Sequence, residues 1–151
     1  MIAKAGRLNL TPAFRLNATS DLRWETIAVT VNGVTYPNIM TAFPNIQFYD
    51  YTKLANRRNL PKNYHLTFSL AESNTDQAIT AFQNGMNVAA VFRTVPTAYT
   101  LDAGLRSVHV DVINGDETDL RFLDRKGVIV GLKAKGSKAK KDTSGFVRDH
   151  N

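Results

Sequence analysis

Three carboxylates lie within four residues, Asp116, Glu117 and Asp119 in the run Asn114-Gly-Asp-Glu-Thr-Asp119, close enough to share a hard cation such as Mg²⁺. Lysines follow at 133 and 135. Acids with a lysine folded back beside them are the donor set of a metal-dependent nuclease, in which the metal activates water and the lysine steadies the developing charge. Two further acids join them from the ends of apolar runs, Asp21 after Thr19-Ser20 and Asp50 between Tyr49 and Tyr51. Asp21, Asp50, Asp116 and Asp119 are therefore the candidate catalytic residues. Each also has a plainer reading. Asp21 suits the cap or first turn of a short helix, and the 114–119 run suits an acidic turn, because it lacks the length and ligand order of an EF-hand loop. Gly131 stands where the lysine strand would supply a second acid. His65, His109 and His150 share no metal-ligand spacing, no nucleophile elbow is present, and Gly127, Gly131 and Gly136 lack phosphate-loop spacing, so no metal site is assigned.

A second chemistry is written in the charge. From Arg121 to Asn151 there are nine Lys or Arg against three Asp, while the first 120 residues carry ten of each sign, so this stretch holds the whole net charge of +6. Localised positive charge argues for a polyanionic partner more strongly than the same charge spread evenly. Lys133, Lys135, Lys138, Lys140 and Lys141 are the expected phosphate contacts, with Arg121 and Arg125 in support. Trp24, the single tryptophan, is expected to pack against the core rather than stack on bases.

Six segments read as the strands that must position these residues: 13–17, 46–51, 64–69, 87–93, 108–113 and 128–133. Each is a short apolar or alternating run that breaks off in polar residues, and the spacing suits strand–helix repeats. Reading parallel strands to their carboxyl ends collects the acids, amides and lysines above, which is where ligands bind in α/β folds. Helices are expected over 72–84, where Ala78, Ile79 and Phe82 form an apolar stripe and Gly85 a stop, over 51–58, and near 37–43. Asn32-Gly33 between β-branched runs predicts a hairpin with a two-residue turn. After Gly136 the apolar pattern stops, with Phe146 and Val147 expected to pin the end back onto the core.

The 151 residues, 43% apolar, suit one ordinary core. We expect a single α/β domain over 1–135 and a basic C-terminal loop or tail over 136–151. With no cysteine the chain has no disulfide and no thiolate for an iron–sulfur cluster. No stretch approaches the roughly 20 apolar residues of a membrane span, and no secretory leader is legible.

The segments Arg15-Leu-Asn-Ala-Thr-Ser-Asp-Leu-Arg-Trp-Glu25, Phe48-Tyr-Asp-Tyr-Thr-Lys53, Asn63-Tyr-His-Leu-Thr-Phe-Ser69, Asn114-Gly-Asp-Glu-Thr-Asp-Leu-Arg-Phe-Leu-Asp124 and Val128-Ile-Val-Gly-Leu-Lys-Ala-Lys-Gly136 resemble a family of phage and mobile-element proteins. The resemblance runs from about Ala13 to Asp149 and attaches no activity. It implies phage origin and a partial (βα) barrel or an open, mostly parallel sheet, here with a β-hairpin insertion. Longer members carry a cysteine-rich N-terminal half, suggestive of a metal-cluster barrel. The leading expectation is a small phage-encoded protein of the host cytoplasm that binds nucleic acid or a host nucleoprotein complex through its basic end, as an inhibitor of host defence. The alternative is a metal-dependent phosphodiesterase or nucleotide-processing enzyme using the four aspartates and Mg²⁺. Uncovered sheet edges make a homodimer a natural assembly.

Overall fold

The computed structural model describes residues 2–149, which form two compact units. Residues 2–50 and 58–65 make the first, and residues 51–57 and 66–149 the second.

The first unit opens with helix α1 (Ile2–Arg7) and strand β1 (Ala13–Arg15). Strands β2 (Val29–Val31) and β3 (Val34–Tyr36) form the expected hairpin, with Asn32 at φ 50° and Gly33 at φ 80°. Positive φ at both turn residues is what a two-residue turn needs to match the twist of its strands, and only Asn and Gly adopt it at little cost. Helix α2 (Ile39–Ala42) is capped by Asn38, whose side-chain oxygen accepts from the Thr41 amide at 2.9 Å. Strand β4 (Gln47–Thr52) runs parallel to β1, and the first residues of β5 (Tyr64–Ser69) follow it, with the Phe48 amide donating to the Asn63 carbonyl. The Asn63 amide group spans the carbonyls of Met40, Phe43 and Ile46, satisfying the end of α2 and the turn after it.

The second unit is built on α3 (Thr75–Gln83), β6 (Asn87–Phe92), β7 (Ala98–Asp102), β8 (Ser107–Asn114), β9 (Ile129–Lys133), α4 (Gly136–Lys140) and β10 (Val147–Arg148). Strand order is β1-β4-β5 in the first unit and β5-β6-β9-β8-β7 in the second, linear and without closure into a barrel. The fold is an open, mostly parallel α/β sheet with a separate hairpin. β5, β6, β9 and β8 are parallel, and β7 is antiparallel to β8.

The central strands are buried on both faces, which is why they read as continuous apolar runs rather than alternating ones. Phe68, Val88, Phe92, Ile129 and Val130 are wholly excluded from solvent, and α3 lays Ala78, Ile79 and Ala81 onto this core. Burying a side chain the size of Ile79 contributes about 2 kcal/mol. Phe82, expected on the same stripe, is only half-buried.

Three expectations are corrected. Residues 53–58 are not helical: β4 continues through Thr52, whose hydroxyl accepts the Leu54 amide, a local bond that competes with a first helical turn. β7 was not expected. The basic stretch after Gly136 holds a helical turn, α4, where a loop was expected, in keeping with its Lys and Ala content. Val147 is buried in β10 and pairs with Val91.

The carboxyl half of β9 depends on a residue without a side chain. A Cβ at Gly131 would lie 2.5 Å from Cγ1 of Val95 and 2.7 Å from Cγ1 of Val112. Gly131→Ala is expected to destabilise the protein by about 1–3 kcal/mol through this overpacking, read as a lower urea midpoint at unchanged slope.

Candidate polyanion-binding face

The lysine-rich segment leaves the sheet at the carboxyl end of β9, where Lys133 lies opposite Phe92 of β6. Lys133, Lys135, Lys138, Lys140 and Lys141 are all exposed. Asp116 fixes the start of the segment. One of its carboxylate oxygens accepts the Lys133 amide at 2.9 Å, and the other meets the Lys135 ammonium at 2.7 Å. The Lys135 ammonium, and then the Lys133 amide, hold the Asp116 carboxyl below the usual carboxylate range. Among the described residues Lys133, Lys138, Lys140 and Lys141 make no ion pair.

Arg93, the residue that follows β6, fixes the rest. Its guanidinium donates to the carbonyls of Lys140 and Asp142 and to the Asp149 carboxylate, with Nε to Oδ1 at 2.6 Å. The Asp149 bond raises the Arg93 pKa above its ordinary value. Asp142 closes the loop behind α4 by accepting from the Val147 amide at 3.0 Å and the Ser144 hydroxyl at 2.8 Å, bonds that lower its pKa. Arg148 then reaches the Ala71 carbonyl at 2.6 Å. The segment expected as a tail is thus tied to the sheet, and its lysines are set on a fixed backbone. Sequence reading singled out the lysines and missed these anchors. The one available signal was that the β6 run ends on Arg93.

The supporting arginines do not belong to this face. Arg121 is fully buried, correcting its assignment as a phosphate contact. It donates to the carbonyls of Gly115 and Thr118 and lies 3.4 Å from Asp124, whose carboxyl burial pushes up in spite of it. Arg121 Nε and Nη1 and Asp124 Oδ2 make no hydrogen bond of ordinary geometry among the described residues. A Cβ at Gly115 would come within 2.9 Å of Arg121 Nη1 and still closer to Val130, so the glycine leaves the space this side chain occupies. Arg125 precedes β9 and pairs with Asp111 at 2.9 Å. A five-residue strand separates its two ends by roughly 13 Å, so Arg125 stands at the opposite end of β9 from the lysines.

The candidate acids take separate employment. Asp116 clamps lysines, as above. Asp119 accepts the Tyr51 hydroxyl at 3.3 Å. In the first unit, Asp50 is fully buried and accepts from the Asn17 amide at 2.7 Å and the Tyr64 hydroxyl at 2.7 Å. Burial pushes the Asp50 carboxyl up, and these bonds oppose the shift. The alternation that sends Tyr49 and Tyr51 to one side does not leave Asp50 in solvent, because β4 is buried on both faces. Asn17, itself buried, extends the network: its side-chain oxygen accepts from the Trp24 indole at 3.0 Å and the Ser20 hydroxyl at 2.9 Å. Trp24 is half-buried and committed to this packing role. Asp21 lies in the loop before the short 3-10 turn Trp24–Thr26, whose capping position is held by Arg23. His109 is exposed and bonds Thr100 at 3.0 Å, and His150 lies outside the described residues. Among the described residues no three His, Asp or Glu stand together as a metal site.

A family model described as gene product 88 matches residues 1–150. No curated protein and no solved structure matches the chain.

Two outcomes test the structural roles. A carboxyl with a raised folded pKa binds more protons in the folded than in the unfolded chain, so Asp50 costs stability as pH rises from 3.8 through its folded value. Tyr64→Phe removes one of the bonds opposing that shift, and should cost about 1–3 kcal/mol at neutral pH and less below pH 3.8, in urea titrations at both pH values. Arg121→Ala leaves Asp124 buried without its cation and should cost about 3 kcal/mol or more. Arg125→Ala, at an exposed pair, should cost under about 1 kcal/mol in the same titration.

Proposed function

The chain belongs to the gene product 88 family, a phage-type family, and from that premise we propose that it is a non-catalytic phage protein whose lysine face contacts the phosphate backbone of nucleic acid. The observation that carries the reading is the pairing of exposed charge with a fixed backbone. Lys133, Lys138, Lys140 and Lys141 are exposed and, among the described residues, without ion pairs, while Arg93, Asp142 and β10 hold the segment that bears them. Lysines on a fixed backbone meet a polyanion with less ordering to undergo on binding than a free tail would. Counterion release from the phosphates then supplies affinity without base sequence specificity.

The contact we propose is with nucleic acid in the host cytoplasm, free or within a host nucleoprotein complex, and inhibition of host defence is the biological end such a contact would serve. The enzymatic alternative has no comparable support, since Asp50 and Asp116 are each spent on structural bonds. No helix among the described residues is long and apolar enough to cross a membrane.

The test is fluorescence anisotropy with labelled single- and double-stranded DNA and RNA across salt concentrations, with and without Mg²⁺. Wild type should bind with affinity that falls linearly in log–log form with salt. Changing Lys133, Lys135, Lys138, Lys140 and Lys141 together to Ala should abolish binding with circular dichroism unchanged, and single Lys138→Ala or Lys140→Ala variants should lower the slope by roughly 0.7–0.9 each. Absence of binding at low salt, or undiminished binding by the folded five-lysine variant, sinks the reading. Mg²⁺-dependent cleavage would replace it with the enzyme.

A further inference from the structure

We propose that β7 is the self-association edge of this protein, pairing antiparallel with β7 of a second copy about a two-fold axis at Thr100. The hydrogen-bond parity of the strand leads there. β7 and β8 pair in a register that sets Ala98 opposite Asp111 and Asp102 opposite Ser107. On either side, the Val112 amide donates to the Thr97 carbonyl and the Ala103 amide to the Arg106 carbonyl. In an antiparallel ladder the bonded residues alternate, so 97, 99, 101 and 103 face β8 and the peptide groups of Ala98, Thr100 and Asp102 face outward. Among the described residues no hydrogen bond is made by those three amides.

Three devices that commonly blunt such an edge, proline, lysine and a bulge, are missing from β7. The strand Ala98-Tyr-Thr-Leu-Asp102 has no proline and no lysine, and its one charge sits at its end. Its pairing with β8 is unbroken by a bulge. β1, β2 and β3 have three residues each, so β7 offers the longest edge of these.

The partner that fits is a second copy, because the strand is complementary to itself. Pairing centred on Thr100 sets Thr100 against Thr100, Ala98 against Asp102 and Tyr99 against Leu101. All three outward peptide groups on each strand are then used. The two Asp102 carboxylates fall at opposite ends of the pair. Leu101 is wholly buried and Tyr99 half-buried on the core side, so the Tyr99–Leu101 cross-strand contacts continue that side from one copy into the next. Thr100 and its partner His109 continue the exposed side.

Sedimentation analysis across protein concentration tests this, beside oxidative cross-linking, for which the absence of native cysteine gives a clean background. Wild type should sediment as a species of twice 16.8 kDa. The Thr100 amide faces outward, so Thr100→Pro removes no bond to β8 and should weaken the dimer by at least about tenfold. Thr100→Lys, which sets two ammonium groups side by side across the axis, should do the same and serves if the proline variant fails to fold. Thr100→Cys should form a disulfide-linked dimer on mild oxidation. A wild type that stays monomeric to roughly 100 µM overturns the proposal, as does a dimer that survives in folded Thr100→Lys.

Discussion

β6 outlasts β5, and the second unit is arranged around that mismatch. The first half of β6 pairs with Thr67–Ser69 of β5, but β5 then ends and Val91 and Phe92 would present an unpaired ladder edge in a buried strand. Buried backbone groups must find partners. The strand beside Val91 and Phe92 on that edge is β10, contributed from more than fifty residues further along the chain. Once Val147 and Arg148 are committed there, Arg93 lies beside the returning chain and its amide donates to the Arg148 carbonyl. The lysine segment is then the connection that must bridge the end of β9 and the start of β10, both beside β6. Its place at the carboxyl end of the parallel strands follows from backbone pairing and owes nothing to its charge.

This explains which parts of the fold were legible in the sequence. β6 and β9 announce themselves because a strand buried on both faces needs a continuous apolar run, β5 and β8 because their apolar and polar residues alternate, and α3 because its stripe and Gly85 are local signals. The hairpin follows from Asn32-Gly33 alone. β10 has two residues and no pattern of its own, since it exists only because β6 has an edge to fill. β7 carries a short alternation between Pro96 and Gly104 that is weak by itself and becomes a strand through pairing with β8. The helix expected over 51–58 fails for a related reason: β4 continues through Thr52, and the Thr52 hydroxyl then takes the amide that a helical turn would use.

The candidate site was legible in its exposed half and illegible in its buried half. Residue type told where the lysines were, because long cations default to solvent. The same default misplaced Arg121 and Asp50. Arg121 is drawn inward by the Gly115 and Thr118 carbonyls and by space that Gly115 leaves open, a combination that spacing does not reveal. Asp50 is drawn inward because Asn17 and Tyr64, far apart in sequence, both donate to it. A buried polar residue is specified by its partners, and those come together only in the folded chain.

The bonds made by the acids are the structural ground on which the proposed binder is preferred to a catalyst. Acids in a hydrolytic site must converge and keep free lone pairs. Here Asp50 spends its oxygens on Asn17 and Tyr64, Asp116 on the Lys133 amide and the Lys135 ammonium, Asp142 on Val147 and Ser144, and Asp149 on Arg93. Each of the last three holds the lysine segment or its anchors in place. The acids of the second unit thus act as the frame of the basic face, lowering its net charge slightly while fixing its geometry. Among the described residues Lys133, Lys138, Lys140 and Lys141 are left outside any ion pair, and the proposed polyanionic partner rests on them. A catalytic role would require the acids to be released from the bonds that hold the segment, so in this architecture acid chemistry and a fixed lysine face compete for the same carboxylates.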